Sequence, residues 1–121
     1  MHRMLLAAAS ALLLSGAAVQ AQNVALVEVD DNVMLMPWNK SADAIEDAKV
    51  LNSDNSELGE VEEVLGTDAK TPVALVVDFE GATTGFTGSR IIPIERFTPD
   101  GARLKITTSA AEVASFPTYG G

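Results

Sequence analysis

A small, mainly β barrel of five or six short strands with one or two short helical turns is the fold that this sequence predicts. Three observations carry the expectation. Short runs of alternating apolar and polar residues recur between residues 48 and 107. Turn chemistry built from Gly, Pro, Asn and Asp separates them. The helical signals are confined to two four-residue capping patterns near the ends of the domain. Such spacing suits a small barrel or rolled sheet.

The elements follow in chain order. Met1 to Ala21 read as an export signal: His2 and Arg3 precede an apolar run from Met4 to Leu14, then small residues, then Val19-Gln20-Ala21 as a cleavage site. The run is shorter than the roughly 20 apolar residues that span a membrane. No cysteine follows it that could carry a lipid. Cleavage after Ala21 would leave 121 − 21 = 100 residues, periplasmic or secreted, with no membrane insertion afterwards. Residues 22–40 are then an N-terminal extension and 41–119 the barrel domain.

Two readings stand for the extension. Val24 to Val29 can form a strand that turns at Asp30-Asp31-Asn32 and returns through Val33 to Met36. Alternatively it is a mobile leader that packs by Val33, Met34, Met36 and Trp38. Pro37 ends whatever precedes it. Ser41 to Glu46 is a helical turn in which Asp43 and Glu46 have capping-box spacing. Ala48 to Leu51 is a short strand, and Asn52 to Ser56 a polar turn in which Asn55 best tolerates a left-handed conformation.

Leu58 to Leu65 is ambiguous. Leu58, Val61 and Val64 recur at helical spacing, yet Glu60-Val61-Glu62 alternates like a strand. Gly59 would cost a helix about 1 kcal/mol, so a bulged strand is favoured. Gly66 to Pro72 is expected as a loop. Val73 to Phe79 is the clearest strand, with Val73, Leu75, Val77 and Phe79 on one face and Asp78 and Glu80 towards the other. Gly81 to Ser89 connects it to Arg90–Ile94, where Pro93 demands an edge or a bulge. Thr98-Pro99-Asp100-Gly101 is a turn signal. Arg103 to Thr107 alternates and would bury Leu104 and Ile106. Ser109-Ala110-Ala111-Glu112 opens a last helix that buries Val113 and Phe116 and stops at Pro117.

That order of elements, from Asp43 to Pro117, resembles the PRC-barrel family, known from the H subunit of photosynthetic reaction centres and a ribosome maturation factor. Val50-Leu51-Asn52-Ser53-Asp54 leading into Glu57 to Val64 resembles the family's strand, turn and "IGxV" opening. Ala74 to Asp78, with Gly85-Phe86 beyond, resembles its central strand and following loop. Ile91-Ile92-Pro93-Ile94 resembles its "vavP" strand, and Ser109 to Pro117 its closing helix and proline. Ser56 stands where the family's opening turn usually has Gly, so Asn55 must supply the positive φ. The resemblance implies a docking or assembly module and carries no catalytic motif. The H subunit's membrane helix and quinone contacts have no counterpart here, and neither does the ribosome factor's second domain.

Charge and composition restrict the chemistry. Eight Lys and Arg stand against 17 Asp and Glu, a formal charge of −9 that becomes 7 − 17 = −10 once Arg3 is removed with the signal. Nucleic acid and anionic membrane surfaces are disfavoured partners. There is no cysteine, and the single histidine, His2, leaves with the signal. No Ser–His or Cys–His catalytic pair is then available. Without disulfides, a chain of about 100 residues must hold together by a core that buries roughly 65% of its unfolded surface.

Asp78 and Glu80 could converge as paired acids, but a solvated strand end explains them better. Asn52, Asp54, Ser56 and Glu63 fall at calcium-loop positions, although Glu57 occupies the place that needs Gly and no helices flank the loop. Gly81 to Gly88 fits no phosphate-binding spacing. No catalytic residue, metal ligand or cofactor is therefore expected. The expected function is a non-enzymatic, protein-binding or assembly role in the cell envelope, with an unidentified protein or a second copy as partner. An acidic protein that binds cations or a small ligand is the alternative. The partner-binding candidates are Trp38 and Met36 in the extension and Phe86 at a loop tip. Phe86 either folds back on the barrel or meets a partner; Trp38 either covers the barrel's open end or docks on another chain.

Overall fold

The computed structural model of the chain describes residues 25–79 and 85–120. The expected export signal, Val24 at the start of the Val24–Val29 strand, Glu80 and residues 81–84 of the Gly-rich connection lie outside them. The described chain is mainly β, a curled half-barrel sheet with two short helices. Its strands are β1 (Val27–Glu28), β2 (Met34–Leu35), β3 (Lys40–Ser41), β4 (Lys49–Leu51), β5 (Glu57–Asp68), β6 (Thr71–Phe79), β7 (Gly88–Pro93), β8 (Phe97–Asp100) and β9 (Arg103–Ile106). The helices are α1 (Ala42–Ile45) and α2 (Ala110–Val113), and Ile94–Arg96 form a 3-10 turn. The main sheet runs β7-β6-β5-β4-β9-β8, with β1 added to the far half of β5. Its pairs are antiparallel except β4–β9, which is parallel and sets Val50 opposite Leu104.

β5 organises the sheet. It pairs with β4 near Gly59, with β1 at Leu65 and Gly66, and with β6 along its length. Straight pleating would send Val61 and Val64 to opposite faces. A bulge prevents it: Val61 pairs with Val77 and Glu63 with Val76, so Glu62 is the extra residue. Val61 and Val64 consequently enter one core, and a slip against β4 that leaves Leu58 as the extra residue brings it to the same core, each no more than 1% exposed. The helical spacing in the sequence is thus the imprint of a bulged strand. Gly59 has a packing reason as well, since a Cβ there would sit 2.1 Å from the Asp78 carbonyl oxygen across the ladder.

Several boundaries differ from the expectation. The Gly66–Pro72 segment is not a loop: β5 continues to Asp68, and β6 starts at Thr71. The Asp68 carboxylate closes that hairpin by accepting from the Lys70 N–H and the Thr71 hydroxyl, at 2.8 and 3.0 Å. The turn expected at Thr98–Gly101 begins later, because Phe97–Asp100 are β8 and Gly101 takes the positive φ. β2 pairs with β3 rather than with β1. Helix α1 is capped by Ser41, whose Oγ accepts from the Ala44 N–H, and not by Asp43. The Ser109 cap on α2 is present, but the Glu112 carboxylate that a capping box would fold back pairs with Arg96 instead.

Other features follow the sequence. Asn55 takes φ 72° in the β4–β5 turn. Pro93 lies on β7, at one end of the sheet. The exposed side of β7 is partly covered by the C-terminal tail: Thr118 bridges Arg90, Ile91 donates to the Pro117 carbonyl and Tyr119 to that of Ser89. Arg90 secures the tail by donating to the carbonyls of Ala114 and Phe116, each at 3.1 Å. Covering an edge in this way removes a site of non-specific strand pairing.

The core gathers Leu75, Val77 and Phe79 of β6 with Ile92, Leu104, Ile106, Ile45, Leu35 and Trp38. Val76 on the alternate face of β6 is also fully buried, while Val73 is only half-buried. Val77→Asp should therefore unfold the domain, because an unpaired carboxylate in that core costs several kcal/mol. A melting temperature within a few degrees of wild type would contradict the assigned face. Gly59→Ala should also destabilise, by roughly 1–3 kcal/mol, since the clash is with backbone and the ladder must part to relieve it. Chemical denaturation of that variant with an unchanged midpoint would contradict the close approach.

Candidate functional site

Two features of the surface bring together residues that the sequence separates. One is a groove, the other a cluster of carboxylates.

The groove is an open concavity of about 630 Å³ lined by Met36, Pro37, Pro72, Val73, Pro93, Ile94, Glu95 and Phe97. The turn after β2, the start of β6, the end of β7 and the 3-10 turn each contribute. A second register slip explains why Val73 faces it: Leu65 pairs with Ala74 and Gly66 with Pro72, which leaves Val73 as the unpaired residue. Pro37, Pro72 and Pro93 lack N–H donors, so the lining offers little to a strand seeking ladder bonds. What it offers is an open concavity of mixed polar and apolar surface. Glu95 is the charged member of the lining.

Of the three partner-binding candidates, only Met36 stands at the surface, 64% exposed and on the groove. Trp38 is 7% exposed and belongs to the core with Leu35. Its Nε1 has no hydrogen-bond partner among the described residues. Phe86 is 5% exposed, and its ring packs on Phe79 with centroids 5.4 Å apart. Both aromatic side chains have therefore taken the packed alternative. The β2–β3 turn explains the contrast in the extension, since Leu35 and Trp38 point into the core while Met34 and Met36 point away.

The carboxylate cluster forms where the extension, α1 and β5 meet. Asp31, Asp43 and Glu46 each bring a carboxylate oxygen within 4.8 Å of the others. Backbone bonds hold the junction: Asp43 donates to the Asp31 carbonyl at 3.0 Å and Ala42 to that of Val33 at 2.7 Å. The β5 bulge adds Glu63 beside Glu46. Burial pushes the Glu46 carboxyl up to about 7, and the negative charges of Glu63, Asp31, Asp43 and Asp47 push the same way. Glu63 is also raised, first by burial and then by Glu28, Glu62 and Asp31. The Tyr119 hydroxyl is raised by burial and by Glu63, Glu28 and Glu62.

Chemically, three converging oxygens suit a hard cation whose remaining coordination water would fill. A carboxyl titrating near neutrality also has the property of a general acid. The groove, however, does not include any of these residues. No linear pattern marks the cluster, because its members come from separate elements and Asp43 with Glu46 read as a helix cap. The calcium-loop spacing is not realised. Asn52 and Asp54 instead close the β4–β5 turn, Asp54 accepting from the Ser56 N–H and hydroxyl at 3.0 and 2.7 Å. Asp78, half-buried, pairs with Glu60 across the β5–β6 ladder.

Among the described residues no helix is long and apolar enough to cross a membrane. No family model matches the chain, and no curated protein matches its sequence.

The cluster makes stability depend on pH with a definite sign. The folded chain holds the Glu46 proton up to about 7, whereas the unfolded chain releases it near the ordinary value of 4.5. The stabilisation is therefore complete at low pH and lost as pH rises through that interval. Glu63 acts in the same direction. Asp54 and Asp68, held below the usual carboxylate range by their turn hydrogen bonds, act oppositely as pH falls further. Thermal melting from about pH 5 to about pH 8 should show a falling Tm, and Glu46→Gln should remove most of that slope. A wild-type Tm that is flat or rises over the interval would contradict the cluster's electrostatics.

Proposed function

We propose that this chain is an exported, non-catalytic binding module of PRC-barrel type that docks a protein partner in the groove at Met36. The observation that carries the reading is the groove itself: a concave surface with three prolines and a methionine that is 64% exposed. Methionine adapts its unbranched side chain to varied apolar surfaces and recurs where partners bind. A rigid lining lowers the ordering cost of association. The expected occupant is an extended apolar segment with basic flanks. Glu95 at the groove and the excess of acidic over basic residues would attract such a segment and repel acidic ones. The resemblance to the PRC-barrel family, whose members serve in docking and assembly, supports the same reading. The export signal supports an envelope location.

A second reading is favoured by the convergence of Asp31, Asp43 and Glu46 within 4.8 Å, namely that the protein binds a divalent cation. One experiment separates the two. The tagged full chain and its Met36→Asp variant are used to retain proteins from the source organism's envelope fraction, with calcium and again with chelator. Met36 is exposed, so the variant should keep its circular dichroism and melting temperature. Docking in the groove predicts a basic partner retained with or without calcium and reduced at least about tenfold by Met36→Asp. Retention that needs calcium and ignores Met36 would move the function to the carboxylate cluster. Retention indifferent to both would remove the groove from the function.

A further inference from the structure

The groove accounts for the exposure of Met36 but not for that of Met34, which lies outside the lining and is still 50% exposed. Val27, Met34 and Met36 are the large hydrophobic residues left exposed among those described. Two of the three are therefore methionines, and they lie two residues apart. The chain has four methionines and no cysteine, and Met1 and Met4 fall in the expected export signal. Past that signal, all of the protein's sulfur sits at one place.

We propose that Met34 and Met36 form a two-thioether site for a soft monovalent cation, Cu(I) or Ag(I). Leu35 between them is 1% exposed, whereas Met34 at the end of β2 and Met36 in the turn that follows are 50% and 64% exposed, so both methionines face away from the core. Residues two apart along any chain stand at most about 7 Å apart at the backbone. Methionine's three rotatable bonds let the two sulfurs close that gap to the few ångströms that a shared ion requires. The backbone beneath them is fixed. Met34 pairs with Ser41 and Leu35 with Lys40, and Asn39 closes the turn by donating to the Leu35 carbonyl at 2.8 Å.

The neighbourhood favours a cation. Lys40 is registered opposite Leu35, so its side chain belongs to the face away from the thioethers. Ser41, opposite Met34, is small and its hydroxyl is engaged as the cap of α1, which leaves room above Met34. The net negative charge raises the local concentration of any cation. Thioethers are soft ligands that select Cu(I) and similar ions over calcium, magnesium and zinc. The site is thus chemically distinct from the carboxylate cluster, and it is independent of the docking reading. Methionine-to-leucine substitution removes the sulfur while keeping an apolar side chain, so it abolishes metal binding without abolishing an apolar dock.

The test uses the full chain with carbon-13 methyl-labelled methionine, titrated with silver nitrate in chloride-free buffer. Silver serves as the redox-inert counterpart of Cu(I). The methyl signals of Met34 and Met36, assigned from Met34→Leu and Met36→Leu, should move together and saturate at one equivalent. Each single variant should lose at least about tenfold in affinity, and calcium or zinc should leave both signals in place. Movement of the Met1 and Met4 signals alone, or of one member of the pair alone, would overturn the proposal. So would a Met34→Leu/Met36→Leu double variant that binds silver as tightly as wild type.

Discussion

The fold depends on one strand satisfying more neighbours than a straight strand can. β5 meets β4 at its beginning, β1 near its end and β6 throughout. A flat twelve-residue strand would run past the small core that this chain can fill. Register slips resolve the conflict. Leu58 is the extra residue against β4, and Glu62 and Thr67 are extra against β6. Each slip adds twist and re-aims a side chain, so the strand curls while still presenting Leu58, Val61 and Val64 to the interior. Gly59 and Gly66 allow the remaining crowding, since a Cβ at either would fall 2.1 to 2.2 Å from a carbonyl oxygen.

The same slips position the surface features. The extra residue at Glu62 turns Glu63 towards the end of α1, where it meets Glu46. The extra residue at Val73 turns that side chain into the groove. Core formation and surface chemistry are therefore two outcomes of one backbone irregularity. The energetic consequence is uneven. The core buries a dozen side chains almost completely, whereas the junction at Glu46 accumulates like charges that only partial protonation relieves. The visible ion pairs do little to offset this, since Lys70–Asp30 and Lys49–Glu57 are exposed and exposed pairs contribute about 0–1 kcal/mol.

Much of the fold was legible because its signals are local. Asn55 could be assigned a positive φ because few residue types tolerate one. Pro93 could be assigned an edge or a bulge because it lacks a donor, and Val77 a core face because Leu75, Val77 and Phe79 recur two apart. Ser109 could be assigned a cap by its spacing to Glu112. What stayed hidden depends on contacts distant in sequence. The pairing of β2 with β3 depends on a turn that Asn39 closes with positive φ. β8 was masked by Pro99, which reads as turn chemistry but is tolerated on the last strand of the sheet. Glu112 follows a capping-box pattern until Arg96, sixteen residues earlier, arrives to claim its carboxylate. Neither the carboxylate cluster nor the groove has any signature in linear spacing.

The N-terminal extension shows how burial divides a short segment between folding and recognition. Its apolar residues Val33, Met34, Leu35, Met36 and Trp38 form one run in the sequence, and nothing in their order says which are anchors. Leu35 and Trp38 join the core, at 1% and 7% exposed. The segment thus packs as part of the domain, by the tryptophan that would otherwise have been the obvious partner-binding residue. With the aromatic ring committed inwards, the large apolar side chains left exposed in the segment are the unbranched thioethers of Met34 and Met36. Under the binding roles proposed for them, a ligand would order these side chains on a backbone already held by the β2–β3 pairing, at the cost of side-chain entropy. That pairing is in turn anchored by the core that Leu35 and Trp38 enter.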